Sequence, residues 1–311
     1  MTRGSAPFVF YSHTDVGRAR EKNEDSHAEY VLGDGSLLLI VADGMGGHGH
    51  GDLASQMAAR IIGETFQMSS SGDPRERLKA GFASANQQII AEAERIGGQG
   101  MGTTCTAVYI PNGRGEAWVA HIGDSRIYHV REGRLIWRTT DHTRVQKMVE
   151  MGLLAAEQAK DHPDANVVTR ALGYSQLADG TVIEADVKIE PLNLQPGDSI
   201  VMCSDGLYDD VEDHEIAEAM QGRAPEDAAK FLVMTSNNRS GHDNITCTVF
   251  HWAAETGSFN PVTRPTTIQT AVAPPGAKKK RSNATLAIIL ALVGVIAAVV
   301  GFVIFSQMMG Q

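Results

Sequence analysis

The stretch ADGMGGHGHGD, residues 42–52, directly follows the apolar run Leu37–Val41. An aspartate at the end of a buried strand, followed by glycines, places a carboxylate and exposed backbone carbonyls at the rim of a sheet. A hard cation collects oxygen ligands of this kind. Asp43 and the Gly44 carbonyl are therefore candidate ligands. A strand ending in Asp-Gly is also an ordinary turn, so this stretch alone leaves both interpretations open.

The same arrangement recurs further along the chain. Two more apolar runs, Ala117–Ile122 and Ser199–Cys203, end close to Asp124 and Asp205, and Asp243 stands just before a last apolar run. Near the N-terminus, Asn23-Glu24-Asp25 follows a glycine-containing turn. Carboxylates at equivalent ends of core strands repel one another unless a cation neutralises them. The recurrence favours a metal cluster over a set of unrelated turns and caps.

Short apolar segments alternate with helical ones from residue 8 to about residue 252. Because strands come in consecutive groups, with a hairpin around Asn112-Gly113, we predict an α+β fold with antiparallel sheets. The predicted strands are Phe8–Tyr11, Leu37–Ala42, Cys105–Ile110, Ala117–Ile122, Arg126–Val130, Ser199–Cys203 and Ile245–Trp252. The predicted helices are Leu53–Phe66, Arg75–Arg95, Thr143–Met151, His214–Met220 and Glu226–Asn237, with Asp73 as a cap.

Composition excludes some functions. The 311 residues carry a formal net charge of −10, which lacks the basic footprint of a nucleic-acid-binding protein. Three widely separated cysteines fit neither a disulfide framework nor a zinc pattern, and Cys203, inside an apolar run, is predicted to be a buried structural thiol. The N-terminal segment has no apolar run of signal-peptide length, so we expect the main domain in the cytosol.

The C-terminal part differs in character. Residues 1–254 are predicted to form one domain, followed by a flexible linker over residues 255–283 that ends in a basic run, Lys278–Arg281. The uncharged stretch LAIILALVGVIAAVVGFVIF, residues 286–305, is long enough to cross a hydrocarbon core of ~30 Å. We predict one transmembrane helix over residues 284–305. The basic residues before it predict a cytoplasmic catalytic domain and an external tail, residues 306–311.

Eight ordered motifs give the chain a resemblance to a known family. They are GRAREKNEDS (17–26), ADGMGG (42–47), MGTT (101–104), HIGDSRIY (121–128), TTDHT (139–143), NVVTRALG (166–173), CSDGLYD (203–209) and GHDNIT (241–246). Together the motifs resemble those of bacterial type-2C, metal-dependent protein serine/threonine phosphatases. The resemblance covers residues 8–252 and implies an αββα sandwich, with helices flanking two antiparallel sheets and a metal-binding cleft at one end.

The resemblance also implies roles for individual residues. It implies two Mn²⁺ or Mg²⁺ ions, and a third, weaker one in bacterial members. Asp43 would bridge the two ions, and the carbonyl of Gly44 would be among the other ligands. Arg20 would bind the substrate phosphate, and Asp25 and Asn244 would support the site. Asp205 and Asp243 would bind the first ion, Gly44 and Glu24 the second, and Asp124 the third. Such a site suits phosphate ester hydrolysis, which needs an activated water and a sink for charge.

Two segments of the site need separate expectations. Many eukaryotic relatives have a histidine as leaving-group acid where this chain has Met45, and we expect His48 and His50 to be loop residues. Water held at the metal site is then expected to protonate the leaving alcohol. The segment Thr143–Gly173 resembles the mobile flap of bacterial members and is expected to face the substrate.

The sequence therefore predicts a membrane-tethered enzyme that removes phosphate from serine and threonine in proteins and opposes a Ser/Thr protein kinase. Two alternatives remain. One is a catalytically inactive relative that acts as a binding or scaffold module. The other is a different metal-dependent hydrolase on the same scaffold, acting on a small-molecule phosphate or on an anti-sigma-factor antagonist.

Overall fold

The computed structural model describes residues 8–46, 49–97, 100–113, 115–173 and 185–253. These ranges fall within one unit, Met1–Ala271. In them no helix has both the length and the apolar character needed to cross a membrane. The predicted linker, the transmembrane span 284–305 and the tail lie outside the described residues, as does His48.

Two antiparallel sheets form the centre of the fold. The first has the strand order β1-β11-β10-β7-β8 and the second the order β2-β3-β5-β6-β9, with the short β4 paired to β3. The strands are β1 (Phe8–Asp15), β2 (Asp25–Val31), β3 (Leu37–Met45), β4 (Gly102–Thr103), β5 (Cys105–Ile110), β6 (Glu116–Ile122), β7 (Arg126–Arg131), β8 (Arg134–Arg138), β9 (Lys188–Asn193), β10 (Ser199–Cys203) and β11 (Ile245–Trp252).

Of the described helices, five cover the outer faces of the two sheets and two lie in the 143–173 segment. The helices are α1 (Gly51–Met68), α2 (Pro74–Ile96), α3 (Arg144–Glu150), α4 (Ala156–Ala159), α5 (Asp205–Tyr208), α6 (Asp213–Glu218) and α7 (Pro225–Arg239). One core lies between the second sheet and α1 and α2, and another between the first sheet and α5, α6 and α7. A third core lies between the two sheets and is built from alternate strand residues. The layers are therefore helix, sheet, sheet and helix, as the sequence predicted.

Strand β3 shows why this stacking follows from the sequence. Leu38 and Ile40 pack into the core under α1, whereas Leu37, Leu39 and Val41 pack between the sheets. Successive side chains of a strand point to opposite faces, so a continuous apolar run is required of a strand that is covered on both sides. The run therefore holds the following Asp43 at the edge of the sandwich.

Most predicted elements are confirmed with small changes in their ends, but the prediction missed strands β2, β4, β8 and β9 and the short helices α4 and α5. The predicted cap of α2 is confirmed, since the Asp73 side chain accepts a hydrogen bond from the Arg75 backbone N–H at 2.9 Å, with Pro74 in the first turn. The hairpin around Asn112-Gly113 is confirmed by the antiparallel pairing of β5 with β6.

Candidate metal centre

The predicted carboxylates come from both sheets and meet at one end of the sandwich. Asp25 and Asp43 lie directly opposite each other on β2 and β3. Asp205 begins α5 immediately after β10, and Asp243 lies two residues before β11, which pairs with β10. Asp124 lies in the turn between β6 and β7. The structure therefore brings together residues that are up to 218 positions apart in the sequence.

These five side chains form one electrostatic cluster. Burial, and then the charge of Asp205, raise the pKa of Asp43 well above its ordinary value, and Asp25, Asp124 and Asp243 add to the effect. Asp205 shows the same pattern, since burial and then Asp124 raise the pKa of its carboxyl group. Burial also raises the pKa of Asp25 to about 6 and that of Asp124 to about 7. Such shifts indicate negative charge that the protein itself leaves uncompensated.

The carboxylates lie near one another, but their side chains are not arranged in a metal-coordination geometry. Among the described residues, no group of three or more His, Cys, Asp or Glu side chains is placed so that it holds a metal ion. Arg20 forms an ion pair with Asp243, with Nη2 2.7 Å from Oδ2. The predicted phosphate-binding arginine thus lies at the site and compensates the charge of one predicted ligand.

Gly44 and Glu24 lie where β3 meets the N-terminus of α1. The Gly44 backbone N–H donates to the Glu24 carbonyl at 3.1 Å, and the Glu24 side chain accepts a hydrogen bond from the backbone of Gly51, the first residue of α1. A helix N-terminus favours a carboxylate through its dipole and its unpaired N–H groups. Burial nevertheless raises the pKa of Glu24.

Backbone contact between Gly44 and Gly51 leaves no room for side chains. A Cβ atom on Gly44 would lie 2.1 Å from the Gly51 carbonyl oxygen and 2.5 Å from that of Glu24. One on Gly51 would lie 2.8 Å from the Gly44 oxygen. The glycines after Asp43 therefore bring the backbone of β3, including the predicted ligand carbonyl, against the helix.

Asn244 ties the loop that carries Arg20 and Glu24 to the rest of the site. Its side-chain oxygen accepts from the Glu24 N–H at 2.8 Å, and its Nδ2 donates to the carbonyls of Val16 and Lys22, both at 2.9 Å. Asn244 is buried. Asn244 therefore fixes this loop through three hydrogen bonds.

Sequence reasoning missed Ser204. The Ser204 hydroxyl donates to Asp25 Oδ2 at 2.7 Å and accepts from the Thr246 backbone N–H at 3.0 Å. Ser204 thereby links the buried Asp25 on the second sheet to β10 and β11 on the first. Its position next to Asp205 was the only signal in the sequence.

The 143–173 segment is attached at both ends beside the carboxylates. At one end Leu172 exchanges two backbone hydrogen bonds with Thr103, whose hydroxyl donates to the Asp43 carbonyl at 2.8 Å. At the other, the His142 backbone N–H donates to the carbonyl of Gly123, next to Asp124, at 2.9 Å. Both ends of the segment therefore contact residues that adjoin the carboxylate cluster.

The structure also shows the surroundings of Met45, His50 and Cys203. Met45 packs against Val168 and Ala171 of the 143–173 segment. His50 precedes α1 and makes no capping hydrogen bond through its side chain. Cys203 is fully buried, and burial raises the pKa of its thiol, as expected for a structural cysteine.

The donor set fits a hard divalent cation. It contains oxygen only, several carboxylates and one backbone carbonyl, which suits Mg²⁺ and Mn²⁺ better than softer metals. The mutual repulsion of the aspartates is the second observation in favour, because a bound cation removes it.

Comparison with known proteins agrees with this geometry. Over 250 residues the chain is 34% identical to the serine/threonine protein phosphatase PstP of Mycobacterium tuberculosis, covering 80% of this chain but only 46% of that protein. It is 34% identical over 239 residues to the serine/threonine phosphatase stp of Listeria welshimeri, covering 75% and 91% of the two chains.

A solved structure extends the comparison. The catalytic domain of PstP in complex with two manganese ions superimposes with a TM-score of 0.66 and 32% identity, over 79% of this chain and 98% of that one. The family model described as protein phosphatase 2C matches residues 12–239. With this match, the sandwich fold and the carboxylates at its end, the chain belongs to the protein phosphatase 2C family.

Proposed function

We propose that this protein hydrolyses phosphoserine and phosphothreonine in other proteins, using Mn²⁺ or Mg²⁺ held by the carboxylate cluster. The observation that carries the proposal is the convergence of Asp25, Asp43, Asp124, Asp205 and Asp243 at one end of the sandwich, where burial and neighbouring aspartates raise the pKa values of Asp43 and Asp205. The manganese-bound catalytic domain of PstP supports the choice of cation.

Each residue has a defined part in this proposal. Asp43 lies centrally, because the charges of all four other aspartates act on it, and this position suits a ligand shared by two ions. Asp205 and Asp243 would be the further ligands of the first ion, and Glu24 and the Gly44 carbonyl those of the second. Asp124 would hold a third, more weakly bound ion. When bound, the ions lower the pKa of water and neutralise charge on the phosphoryl oxygens.

Arg20 is the proposed phosphate-binding residue. Its side chain is 50% exposed and its contact with Asp243 is an exposed ion pair, worth less than about 1 kcal/mol. The guanidinium therefore exchanges this partner for a phosphate at small cost, and it offers a bidentate contact that a lysine does not match. A metal ion held by Asp243 would compete with Arg20 for the same carboxylate.

Hydrolysis of a phosphoserine peptide with Mn²⁺ tests the proposal, together with calorimetric measurement of Mn²⁺ binding. We expect Asp205→Asn to lose both, with turnover lower by about a thousandfold, as for loss of a major charge-stabilising group. Binding of phosphoproteins without turnover would favour the inactive scaffold instead. Turnover of small phosphate esters or an anti-sigma-factor antagonist, with no turnover of phosphopeptides, would favour a different hydrolase.

We also propose that residues 284–305 anchor the protein in the cell membrane, with the catalytic domain on the cytoplasmic side opposing a Ser/Thr kinase. The uncharged run 286–305 and the basic residues 278–281 before it support this. The full chain is expected to resist extraction by alkaline carbonate, whereas a chain ending at residue 253 is released. Release of the full chain by carbonate would contradict the anchor.

A further inference from the structure

A cavity of about 240 Å³ lies at the base of the 143–173 segment, outside the carboxylate cluster. Three cationic side chains from separate parts of the chain line it: Lys147 from α3, Arg170 from the end of the segment and Lys188 from β9. His142 forms part of the wall, with its Nε2 3.2 Å from Arg170 Nη1. The cavity is therefore basic, although the chain as a whole carries a net charge of −10.

The three cations add to an effect of burial on His142. Burial, followed by His121, Arg170, Lys188 and Lys147, lowers the pKa of His142 to about 3. No carboxylate appears among these causes. His142 therefore stays neutral at physiological pH and marks a position of positive potential in the wall.

Two acidic side chains, Asp141 and Glu150, line the cavity, and each accepts hydrogen bonds from another residue. Asp141 holds Arg126 through two hydrogen bonds of 2.9 and 2.6 Å, and Glu150 accepts from Gln146 at 3.2 Å. These contacts turn the two carboxylates towards neighbours in the protein. Asp141 is thereby compensated by a cation outside the cavity, whereas Glu150 keeps its charge beside Gln146, which also lines the cavity.

Of the three cations, Lys147 and Lys188 are weakly compensated. Arg170 and Lys188 contact Asp186 and Glu190 at 3.4 Å each, and the Asp186 side chain is 69% exposed. Within the described residues no ion pair involves Lys147. Exposed contacts of this length contribute little and exchange readily for a better acceptor.

The cavity borders the candidate metal centre through two hydrogen bonds between His142 and Gly123, one of which joins their backbones. The Gly123 N–H donates to His142 Nδ1 at 3.1 Å, and the next residue is Asp124. Asp141 connects the two sites electrically, because its charge raises the pKa of Asp124. The cavity wall therefore contacts the residue next to a predicted ligand, and we expect residues that flank a bound phosphoresidue to reach it.

We infer that this cavity is a subsite for a second oxyanion on the substrate, either another phosphate or a carboxylate close in sequence to the scissile phosphoresidue. The inference rests on the proposed phosphatase function and deepens it by assigning a substrate class. Phosphorylated segments that are acidic or multiply phosphorylated are the substrates selected. Lys147, Arg170 and Lys188 supply the charge that recognises them.

The test uses the full chain and fluorescent phosphothreonine peptides that carry phosphoserine, glutamate or alanine at each position from −4 to +4. We expect kcat/KM to be about tenfold higher for a second anion at the favoured spacing, mostly through KM, because three charge-assisted contacts contribute. Lys147→Gln and Lys188→Gln each lower this preference about threefold, as for partly exposed ion pairs. Lys160→Gln, the same change elsewhere in the segment, leaves it unaltered.

Phosphoserine and glutamate identify the source of the anion, and both outcomes support the subsite. Equal kcat/KM for all peptides, or a preference that Lys147→Gln and Lys188→Gln both leave intact, would overturn it. Fluorescence anisotropy measures the same preference as binding, without turnover. Preferential binding without hydrolysis would therefore contradict the proposed function and leave the subsite standing.

Discussion

At the scale of single residues, the aspartates of the cluster are placed for function at the expense of stability. Asp43 and Asp205 have raised pKa values because burial and neighbouring aspartates both disfavour the ionised form. A folded protein retains such repulsion only where a ligand relieves it. Removal of a charge from the cluster should therefore raise the stability of the metal-free protein, whereas removal of a packed, hydrogen-bonded side chain should lower it.

Asp43→Asn is expected to stabilise the metal-free protein at pH 8 while abolishing metal binding and turnover. Loss of one repelling charge worth about 1 kcal/mol raises Tm by roughly 3 °C in a domain of this size. Differential scanning fluorimetry in chelator and in Mn²⁺ measures both effects. Asp161→Asn, the same change at an exposed position, serves as control. A lower Tm for Asp43→Asn in chelator would contradict the prediction.

Asn244→Ala is expected to destabilise the protein by about 2–3 kcal/mol, because it removes a buried side chain that makes three hydrogen bonds to backbone groups of the 16–24 loop. Urea denaturation measures the free energy of unfolding. Asn112→Ala removes an exposed bond to the Asp34 carbonyl and should cost less than about 1 kcal/mol. Equal costs for the two variants would show that Asn244 does not organise the loop.

At the scale of elements, the junction of β3 with α1 is the tightest part of the site. It depends on two glycines whose backbones touch, and it fixes both the Gly44 carbonyl and the Glu24 carboxylate. Rearrangement of this junction would displace two predicted ligands together. Its packing is therefore open to a direct test.

Gly44→Ala is expected to cost about 3 kcal/mol, because its Cβ would lie 2.1 Å from a backbone oxygen and neither element has space to retreat. Gly33→Ala is the matched control, since nothing lies within 4 Å of its added Cβ. Chemical denaturation gives the stability, and calorimetry gives the affinity for Mn²⁺. Normal stability and affinity in Gly44→Ala would show that the junction tolerates a side chain.

The elements also show where sequence reasoning succeeds and where it stops. Strands β5, β10 and β11 were predicted with their observed ends, because continuous apolar runs identify strands that are buried on both faces. Strand β9 was missed because it contains Pro191 and alternates with charged residues. It lies at the edge of its sheet, where a proline is tolerated because one side of the strand has no ladder partner.

Strand β2 and the site residues illustrate a second limit. The polar start of β2, Asp25-Ser26-His27, hides the strand, since Asp25 is buried against Ser204 instead of against apolar groups. The ligands were predicted because aspartates recur at strand ends and because the motifs resemble those of a known family. The contact between Ser204 and Asp25 and the pairing of Arg20 with Asp243 depend on tertiary structure and have no local signal.

At the scale of the whole molecule, metal, pH and folding are linked. A carboxyl group with a raised pKa stabilises the fold while it is protonated, and this contribution is lost as the pH rises through the raised value. For Asp25 that value is about 6 and for Asp124 about 7. As the pH rises from the ordinary value of 3.8 through these raised values, the metal-free domain therefore loses this stabilisation and gains repelling charges at one end of the sandwich.

The gain in Tm produced by Mn²⁺ is accordingly expected to increase from pH 6 to pH 8. Deprotonated carboxylates bind the ion and protonated ones do not. The affinity of the folded protein for Mn²⁺ therefore rises with pH, and the stabilisation that Mn²⁺ produces rises with it. Thermal unfolding with Mn²⁺ and with chelator at each pH measures the difference, and contributions from groups distant from the site cancel. A gain that stays constant or declines with pH would contradict this linkage.

The position of β11 has a consequence for how the polypeptide is made. This strand is the last in sequence, yet it lies between β1 and β10, so the first sheet has a gap until residue 252 has left the ribosome. Asp243 and Asn244 emerge in the same late interval, just before that strand. During synthesis the nascent chain therefore exposes two unpaired strand edges and an unfinished cluster, which makes this the interval in which a chaperone would have most to protect.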